Sequence, residues 1–226
     1  MTPVADASGE EYNPGPATRA RRAATVILLR GGDTRLEVLL VRRTPKARFM
    51  GGVWVFPGGA IDEGDIPQGA PPEEGSVIEA QALRAAATRE LREEAAIALA
   101  DPGELVEFSR WITPAVVRTR FDTHFFLATL PAGQEARVDG EECIDLGWFT
   151  PQGALDAHGA GEIMLVFPTI KHLEQLSGFS SSDALLAHAR GREVLPVEPR
   201  VVLEGEVARV LLPGDPGYCF SPAGPR

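Results

Sequence analysis

The sequence predicts an α/β fold in which a mixed β-sheet lies between helical layers, and three observations carry that expectation. Two strand-length apolar runs, 23–29 and 36–41, stand before one helical pattern that closes near Ile97. Further strand patterns follow it, at 104–111, 121–128 and 143–149. From Thr150 onward the pattern turns helical before a last alternating stretch at 200–212. With 226 residues and 44% hydrophobic content, the chain has enough apolar surface for one good-sized core with additions.

Residues 1 to about 20 combine Pro, Gly, Ser and acidic residues with few apolar ones, too little burial to offset ordering entropy, so a disordered tail is expected there. Ala23-Ala24-Thr25-Val26-Ile27-Leu28-Leu29 reads as a buried strand. Gly31-Gly32-Asp33 supplies a turn into Leu36-Glu37-Val38-Leu39-Leu40-Val41, which makes a hairpin of the two runs. Trp54, between Val53 and Val55, is expected in the core. The stretch 66–76, rich in Pro67, Gly69, Pro71, Pro72 and Gly75, reads as an inserted surface loop. Glu104 to Trp111 is a strand ended by Thr113-Pro114, and aromatic-rich Phe121 to Ala128 is expected at the sheet centre with His124 in a structural role. Thr150-Pro151 gives the cap and first turn of a helix reaching about His158. Pro168 to Leu176 and Ser182 to Arg190 read as two more helices, the second capped by Ser182. Arg200 to Leu212 alternates around Glu204-Gly205-Glu206, the pattern of a hairpin or arm that docks on the domain or pairs across a homodimer. The expected organisation is therefore a tail (1–20), one domain (21–176) and a helix and β extension (177–226).

Charge and composition remove several function classes. A net charge of −10 repels a nucleic-acid backbone over most of the surface, so no nucleic-acid partner is expected. No apolar run reaches transmembrane length and the first residues lack the basic-then-apolar layout of a signal peptide, so the expectation is a cytoplasmic protein without a membrane partner. Cys143 and Cys219, two and far apart, support neither a disulfide framework nor a zinc site. Ser, Cys and His residues are not arranged in a nucleophile motif.

The chemistry concentrates between Val55 and Ile97. Phe56-Pro57-Gly58-Gly59 forms a turn, and Arg89-Glu90-Leu91-Arg92-Glu93-Glu94 closes a helix. Helical spacing places Glu90, Glu93 and Glu94 on one face. Such a face by itself is also what an ordinary solvated helix shows. Three carboxylates so close repel one another, and a hard divalent cation with oxygen ligands relieves that repulsion. Upstream, Arg42, Arg43, Lys46 and Arg48 stand out in an acidic chain, and Arg offers bidentate geometry to phosphate oxygens.

These residues resemble the Nudix box, G-x5-E-x7-R-E-U-x-E-E-x-G-U with U aliphatic. Gly59 takes the first glycine, Arg89-Glu90-Leu91 the R-E-U, Glu93-Glu94 the E-E, and Ile97 the last aliphatic position. Three positions depart from the pattern. Asp65 stands where the first Glu is expected, 23 residues rather than seven separate it from Arg89, and Ala96 replaces the Gly that ends the helix. Asp65 is a methylene too short to be taken as equivalent and is read as structural. Ala96 leaves the helix to end in another way, because a left-handed residue there costs Ala about 1 kcal/mol.

The resemblance implies a Nudix-type α/β/α sandwich with a mixed β-sheet, here carrying C-terminal helices and a β arm. It also implies a hydrolase of phosphoric anhydride bonds that uses Mg²⁺ or Mn²⁺ on small substrates containing a linked nucleoside diphosphate. Residue by residue, Glu90, Glu93 and Glu94 carry over as metal ligands, with the Gly59 carbonyl completing the shell and Glu93 or Glu94 a candidate base. Arg89 carries over as the group that orients a carboxylate. Glu142, just before the Trp148 strand, is a further candidate base. The run Leu39-Leu40, Arg43, Arg48, Gly52 and Phe56-Pro57-Gly58-Gly59 is similar to the upstream signature of coenzyme A diphosphatases within the family, with Val41 and Thr44 departing from it. That similarity implies CoA or acyl-CoA as substrate, with Arg43, Arg48, Gly52, Phe56 and Gly58 in its binding. The competing readings are hydrolysis of NADH, ADP-ribose or another nucleotide, a nucleotide-sensing module without catalysis, and isoprenoid diphosphate isomerisation. The complete carboxylate set opposes the sensor, and the cysteine positions do not support the isomerase.

Overall fold

The computed structural model describes residues 13, 15–47, 50–67, 71–204 and 207–218. In chain order the elements are β1 (Arg21–Arg30), β2 (Glu37–Arg43), β3 (Trp54–Val55), β4 (Gly58–Ala60), α1 (Val77–Ala95), β5 (Val106–Ile112), β6 (Phe121–Thr129), β7 (Cys143–Phe149), α2 (Pro151–Gly159), α3 (Phe167–Leu176), α4 (Ser182–Ala189), β8 (Pro196–Val197), β9 (Arg200–Glu204) and β10 (Val207–Leu211). Strands β1 to β8 share one mixed sheet, and β9 with β10 forms a separate hairpin. The expected α/β sandwich with a C-terminal β arm is the fold that forms. No helix among the described residues is long and apolar enough to cross a membrane.

β1 is the axis of the sheet. It runs parallel to β6 from Arg21 opposite Phe121 to Leu29 opposite Thr129. Its other edge is divided between two antiparallel partners, β4 from Ala23 to Thr25 and β2 only at Leu29 and Arg30. The expected hairpin therefore pairs at its turn end alone. β2 diverges because its length is taken up by β7, from Val38 opposite Phe149 to Arg43 opposite Cys143.

Burial on both faces explains the uninterrupted apolar run of β1. Ala24, Val26 and Leu28 pack on Leu83, Ala86, Ala87 and Leu91 of α1. Ile27 and Leu29 pack on the other side with Leu173 and Leu176 of α3 and Leu185 of α4. α3 and α4 thus belong to the main core. His124 is buried on β6 and faces Glu107 at 2.7 Å, consistent with a structural role.

Local chemistry sets the helix ends. Ser76 caps α1 by accepting the Glu79 N–H at 3.1 Å, and Thr150 caps α2 by accepting the Gly153 N–H at 3.1 Å. The cap of α4 is Ser181, which accepts the Ala184 N–H, and not Ser182 as the sequence pattern led us to expect. Ser182 is fully buried and its hydroxyl donates to the Gly32 carbonyl at 2.9 Å, fastening α4 to the β1–β2 turn. Ala96 ends α1 in the left-handed region at φ 56°, ψ 27°, so the helix stops as a Gly would stop it. Ile97 is then fully buried against the α1 face of the sheet.

The N-terminal tail expected over residues 1–20 lies mostly outside the described residues. Its described end is tied down, because the buried Arg120 guanidinium needs acceptors and takes the Thr18 carbonyl at 2.8 Å. Glu206 and Cys219 also lie outside the described residues.

At the centre of the second face, His172 is 1% exposed among the rings of Phe56, Phe108, Trp111 and Phe125. Its Nδ1 lies 2.6 Å from the Pro168 carbonyl, which only accepts, so Nδ1 carries the proton. Nε2 then accepts from the Ser109 hydroxyl at 2.6 Å. Burial pushes the His172 pKa down to about 4.

Two predictions follow from these environments. Between the ordinary histidine pKa near 6.5 and about 4, the unfolded chain binds a proton that native His172 refuses, so stability is full above that window and falls as pH drops through it. The loss reaches about 3 kcal/mol, and denaturant unfolding at several pH values should show a shallower acid dependence for His172→Gln. Equal pH slopes for the two proteins would remove the assignment. Ala96→Gly relieves a left-handed alanine and should raise stability by about 0.5–1 kcal/mol, read as a higher urea midpoint.

Candidate active site

The site is built where α1 passes β4. Leu91 and Ala95 are buried against the sheet, while Glu90 and Glu94 reach the Gly58-Gly59 strand and Glu93 lies further out. The Glu94 side chain is 3% exposed, that of Glu90 13% and that of Glu93 52%. Glu94 Oε2 accepts the Gly58 N–H at 2.9 Å, and its Oε1 lies 3.7 Å from Arg43 Nη1. Burial and the neighbouring Glu90 push the Glu94 pKa up to about 7, against the pull of the Gly58 N–H and Arg43. Burial likewise raises Glu90, opposed by Arg89.

Gly58 and Gly59 are required by contact. A Cβ on Gly58 would meet Thr25 and the Ala24 carbonyl, and one on Gly59 would enter the Glu90 carboxylate. Any larger residue would push the strand off β1 or the carboxylate off the strand.

Arg89 is consumed by the protein. Nε and Nη2 grip the Asp65 carboxylate at 3.0 and 2.9 Å, Nη2 also donates to the Ala60 carbonyl at 3.0 Å, and Nη1 reaches Glu90 at 2.7 Å and Glu93 at 3.0 Å. These partners hold its pKa well above the usual range. Asp65 is itself buried and accepts the Asp62 N–H at 2.9 Å, so it serves as the anchor of Arg89 and of its own turn. The structural role read for Asp65 agrees with these contacts.

Glu142 is exposed on the approach to β7, where its carbonyl accepts the Thr44 N–H at 2.8 Å, and its charge is close enough to oppose ionisation of Glu90. Gly52 sits in the turn after β2 and donates its N–H to the Arg43 carbonyl at 3.1 Å. Phe56 corrects the expectation. It is 3% exposed and packs edge-on to His172 in the core on the opposite side of the sheet from α1, so it cannot touch substrate. Its neighbours Pro57 and Gly58 turn the chain back to the site while the ring stays behind. Arg48 lies outside the described residues.

Sequence reading missed one partner of Glu94. Arg43, read for substrate alone, is also its counter-ion. No local signal marks that contact, since it forms only where the end of β2 lies beside α1 in the folded chain.

The donors fit a hard divalent cation. They are carboxylate and carbonyl oxygens with no sulfur or imidazole ligand, and the raised pKa values of Glu90 and Glu94 show charge that a cation would relieve. In the described structure these carboxylates are turned onto Arg89, Arg43 and the Gly58 N–H, and no three His, Cys, Asp or Glu side chains among the described residues converge as a ready cluster.

Comparison with known proteins agrees with this geometry. The NUDIX domain model matches residues 19–166. The chain is 25% identical, over a gapped alignment 307 positions long, to the human acyl-coenzyme A diphosphatase NUDT19, covering 91% of this chain and 82% of that protein. It is 32% identical over 85 residues to the Xenopus laevis acyl-coenzyme A diphosphatase NUDT19, covering 36% of this chain and 22% of the other. Among solved structures, a NUDIX hydrolase from Alicyclobacillus acidocaldarius superposes with a TM-score of 0.64 at 28% identity, over 75% of this chain and 96% of that one. NUDIX enzymes are typically dependent on divalent metal and act on small molecules with a linked nucleoside diphosphate, and with the box on α1 and the matched domain spanning β1 to β7, this chain belongs to the NUDIX family as a hydrolase of phosphoanhydride bonds.

Proposed function

We propose that this chain is a Mg²⁺- or Mn²⁺-dependent pyrophosphohydrolase that cleaves CoA or acyl-CoA to 3′,5′-ADP and (acyl-)phosphopantetheine. The observation that carries the reading is similarity to an acyl-coenzyme A diphosphatase over nine-tenths of the chain, together with the upstream run Leu39-Leu40, Arg43, Arg48 and Gly52. CoA bears a 3′-phosphate besides its pyrophosphate, so it offers more anionic groups to a basic stretch than NADH or ADP-ribose does.

Glu90, Glu93, Glu94 and the Gly59 carbonyl would hold the cation. When bound, it neutralises charge on the pyrophosphate that otherwise repels a nucleophile. Arg89, committed to Asp65 and Ala60, fixes the directions of Glu90 and Glu93. Arg43 has its Nη1 near Glu94 and would meet a phosphate oxygen there. Glu142, exposed at the rim, would take the proton of the attacking water, with Glu93 as the alternative on the helix.

Four measurements test this. Activity should vanish in chelator, return with Mg²⁺ or Mn²⁺, and fall on the order of 10²-fold or more in Glu93→Gln and in Glu94→Gln with the fold intact by circular dichroism. Near-normal turnover of the Glu93→Gln, Glu94→Gln double variant would end the metal assignment. Glu142→Gln should change turnover and the pH–rate profile, and if neither Glu142→Gln nor Glu141→Gln changes them the base belongs to α1. Arg48→Ala should raise KM for CoA more than for dephospho-CoA if it holds the 3′-phosphate, and equally for both if it holds the pyrophosphate. The substrate itself is read from a screen of CoA, acyl-CoAs, NADH, ADP-ribose, dinucleoside polyphosphates and nucleoside triphosphates with products identified by mass. Cleavage of a non-CoA substrate about tenfold more efficiently than every CoA species would overturn the CoA assignment alone.

A further inference from the structure

β2 and β3 meet through a bulge at the Arg43 end. Gly52 donates to the Arg43 carbonyl at 3.1 Å while the Arg43 N–H reaches the Val53 carbonyl at 3.0 Å, so two residues of one strand stand opposite one of the other. Gly52 takes the left-handed φ of 80° that such a bulge requires. Val53 is thereby set beside Arg43. One strand further out, Trp54 pairs in parallel with Leu165, and its N–H donates to the Met164 carbonyl at 2.8 Å. The segment before α3 thus extends the sheet past β3.

Alternation assigns the faces. Trp54 and Leu165 both lie in the core on the α3 side, whereas Val41 and Val55, opposite one another, belong to the α1 side. Val53 and Met164 therefore share the α1 side with Arg43, whose Nη1 stands 3.7 Å from Glu94. At a strand spacing of ~4.8 Å, Met164 sits about 10 Å across the sheet from Arg43, with Val53 between them. Val53 is 2% exposed and Met164 55%. Arg43 has donors to spare, because its Nε is buried without a hydrogen-bond partner among the described residues and its Nη1 stands beyond hydrogen-bond distance of Glu94. An apolar row therefore leads outward from an unsatisfied guanidinium.

We propose that Met164 is a specificity-determining residue for the pantetheine arm of the substrate, packing on the geminal methyl groups that stand next to its phosphate. The proposal deepens, and rests on, the reading of the chain as a hydrolase of CoA or acyl-CoA. With the pyrophosphate on Arg43, the arm that leaves along this row meets Val53 and Met164, neither of which offers a side-chain donor or a strong acceptor. A ribose and base laid there would give up hydrogen bonds to water without replacement, whereas two methyl groups lose nothing. Methionine suits such a contact, since its unbranched thioether chain adapts to an irregular apolar shape.

The test is calorimetric titration of the full chain in Mg²⁺ with the two halves of the product, 4′-phosphopantetheine and 3′,5′-ADP, alongside CoA hydrolysis. The proteins are the wild type, Met164→Ala, Met164→Leu and Leu195→Ser, the last a control on an exposed apolar residue beside β8 at the other edge of the sheet. Met164→Ala should bind 4′-phosphopantetheine about fivefold more weakly, and Met164→Leu and Leu195→Ser within about twofold of wild type. All four should bind 3′,5′-ADP alike. Unchanged 4′-phosphopantetheine affinity in Met164→Ala, a loss that falls on 3′,5′-ADP instead or on both ligands equally, or an equal loss in Leu195→Ser overturns the proposal, and CoA hydrolysis by the wild type shows that the substrate reading stands. A wild type that neither cleaves CoA nor binds 4′-phosphopantetheine overturns both.

Discussion

The approach of two α1 carboxylates to the Gly58-Gly59 backbone is the contact on which the rest of the molecule depends. Burying Glu90 and Glu94 is costly unless donors meet them, and the structure supplies three. Gly58 gives a main-chain N–H, and Arg89 and Arg43 give charge. Neither glycine could carry a side chain without breaking this approach. The strain that remains, raised pKa values on both carboxylates, marks where positive charge is wanted.

The sheet supports this approach. β1 gives its edge first to β4, which carries Gly58 and Gly59, and then to β2, with the Val26 N–H held by the Pro57 carbonyl at 2.8 Å between them. Because β1 is buried on both faces, it is also the rigid element against which α1 is located on one side and α3 and α4 on the other. The C-terminal helices contribute nothing to the carboxylate cluster, yet they cover the face that holds Phe56, and Phe56 anchors the turn that delivers Gly58.

The insertion ahead of α1 is joined to the sheet by charge. Glu74 meets Arg110 at 2.9 Å, and Glu79 in the first turn of α1 meets Arg22 at 2.7 Å. Asp122 bridges Arg22 and Arg110 beneath them. Buried ion pairs of this kind are weak sources of net stability, since desolvation offsets attraction, but they penalise any register in which a charge is left unpaired. The network thus fixes the start of α1 on β1 and β6, as Arg89 with Asp65 fixes its end on the strand turn. A loop between these two anchors can vary in length without moving the carboxylates.

The sequence by itself determined the layers of the fold and the identity of the three-carboxylate helix face, because apolar periodicity and the box spacing are local properties of the chain. Strand and helix positions came within a few residues for the same reason, as did the structural standing of Asp65, whose side chain is too short to stand in for Glu. Contacts across the sheet were decided only by the tertiary structure. Arg43 meets Glu94 because the end of β2 lies beside α1 in the folded chain, and nothing within either segment encodes that approach. Phe56 lies in a motif whose glycines face the site, but the alternation of a strand sends its ring to the other side of the sheet. Ser181 displaces Ser182 as a cap because the turn at Gly32 claims the second hydroxyl, a contact 150 residues away in sequence. Ala96 adopts a left-handed conformation its own preferences oppose, because Ile97 must reach the core directly behind it.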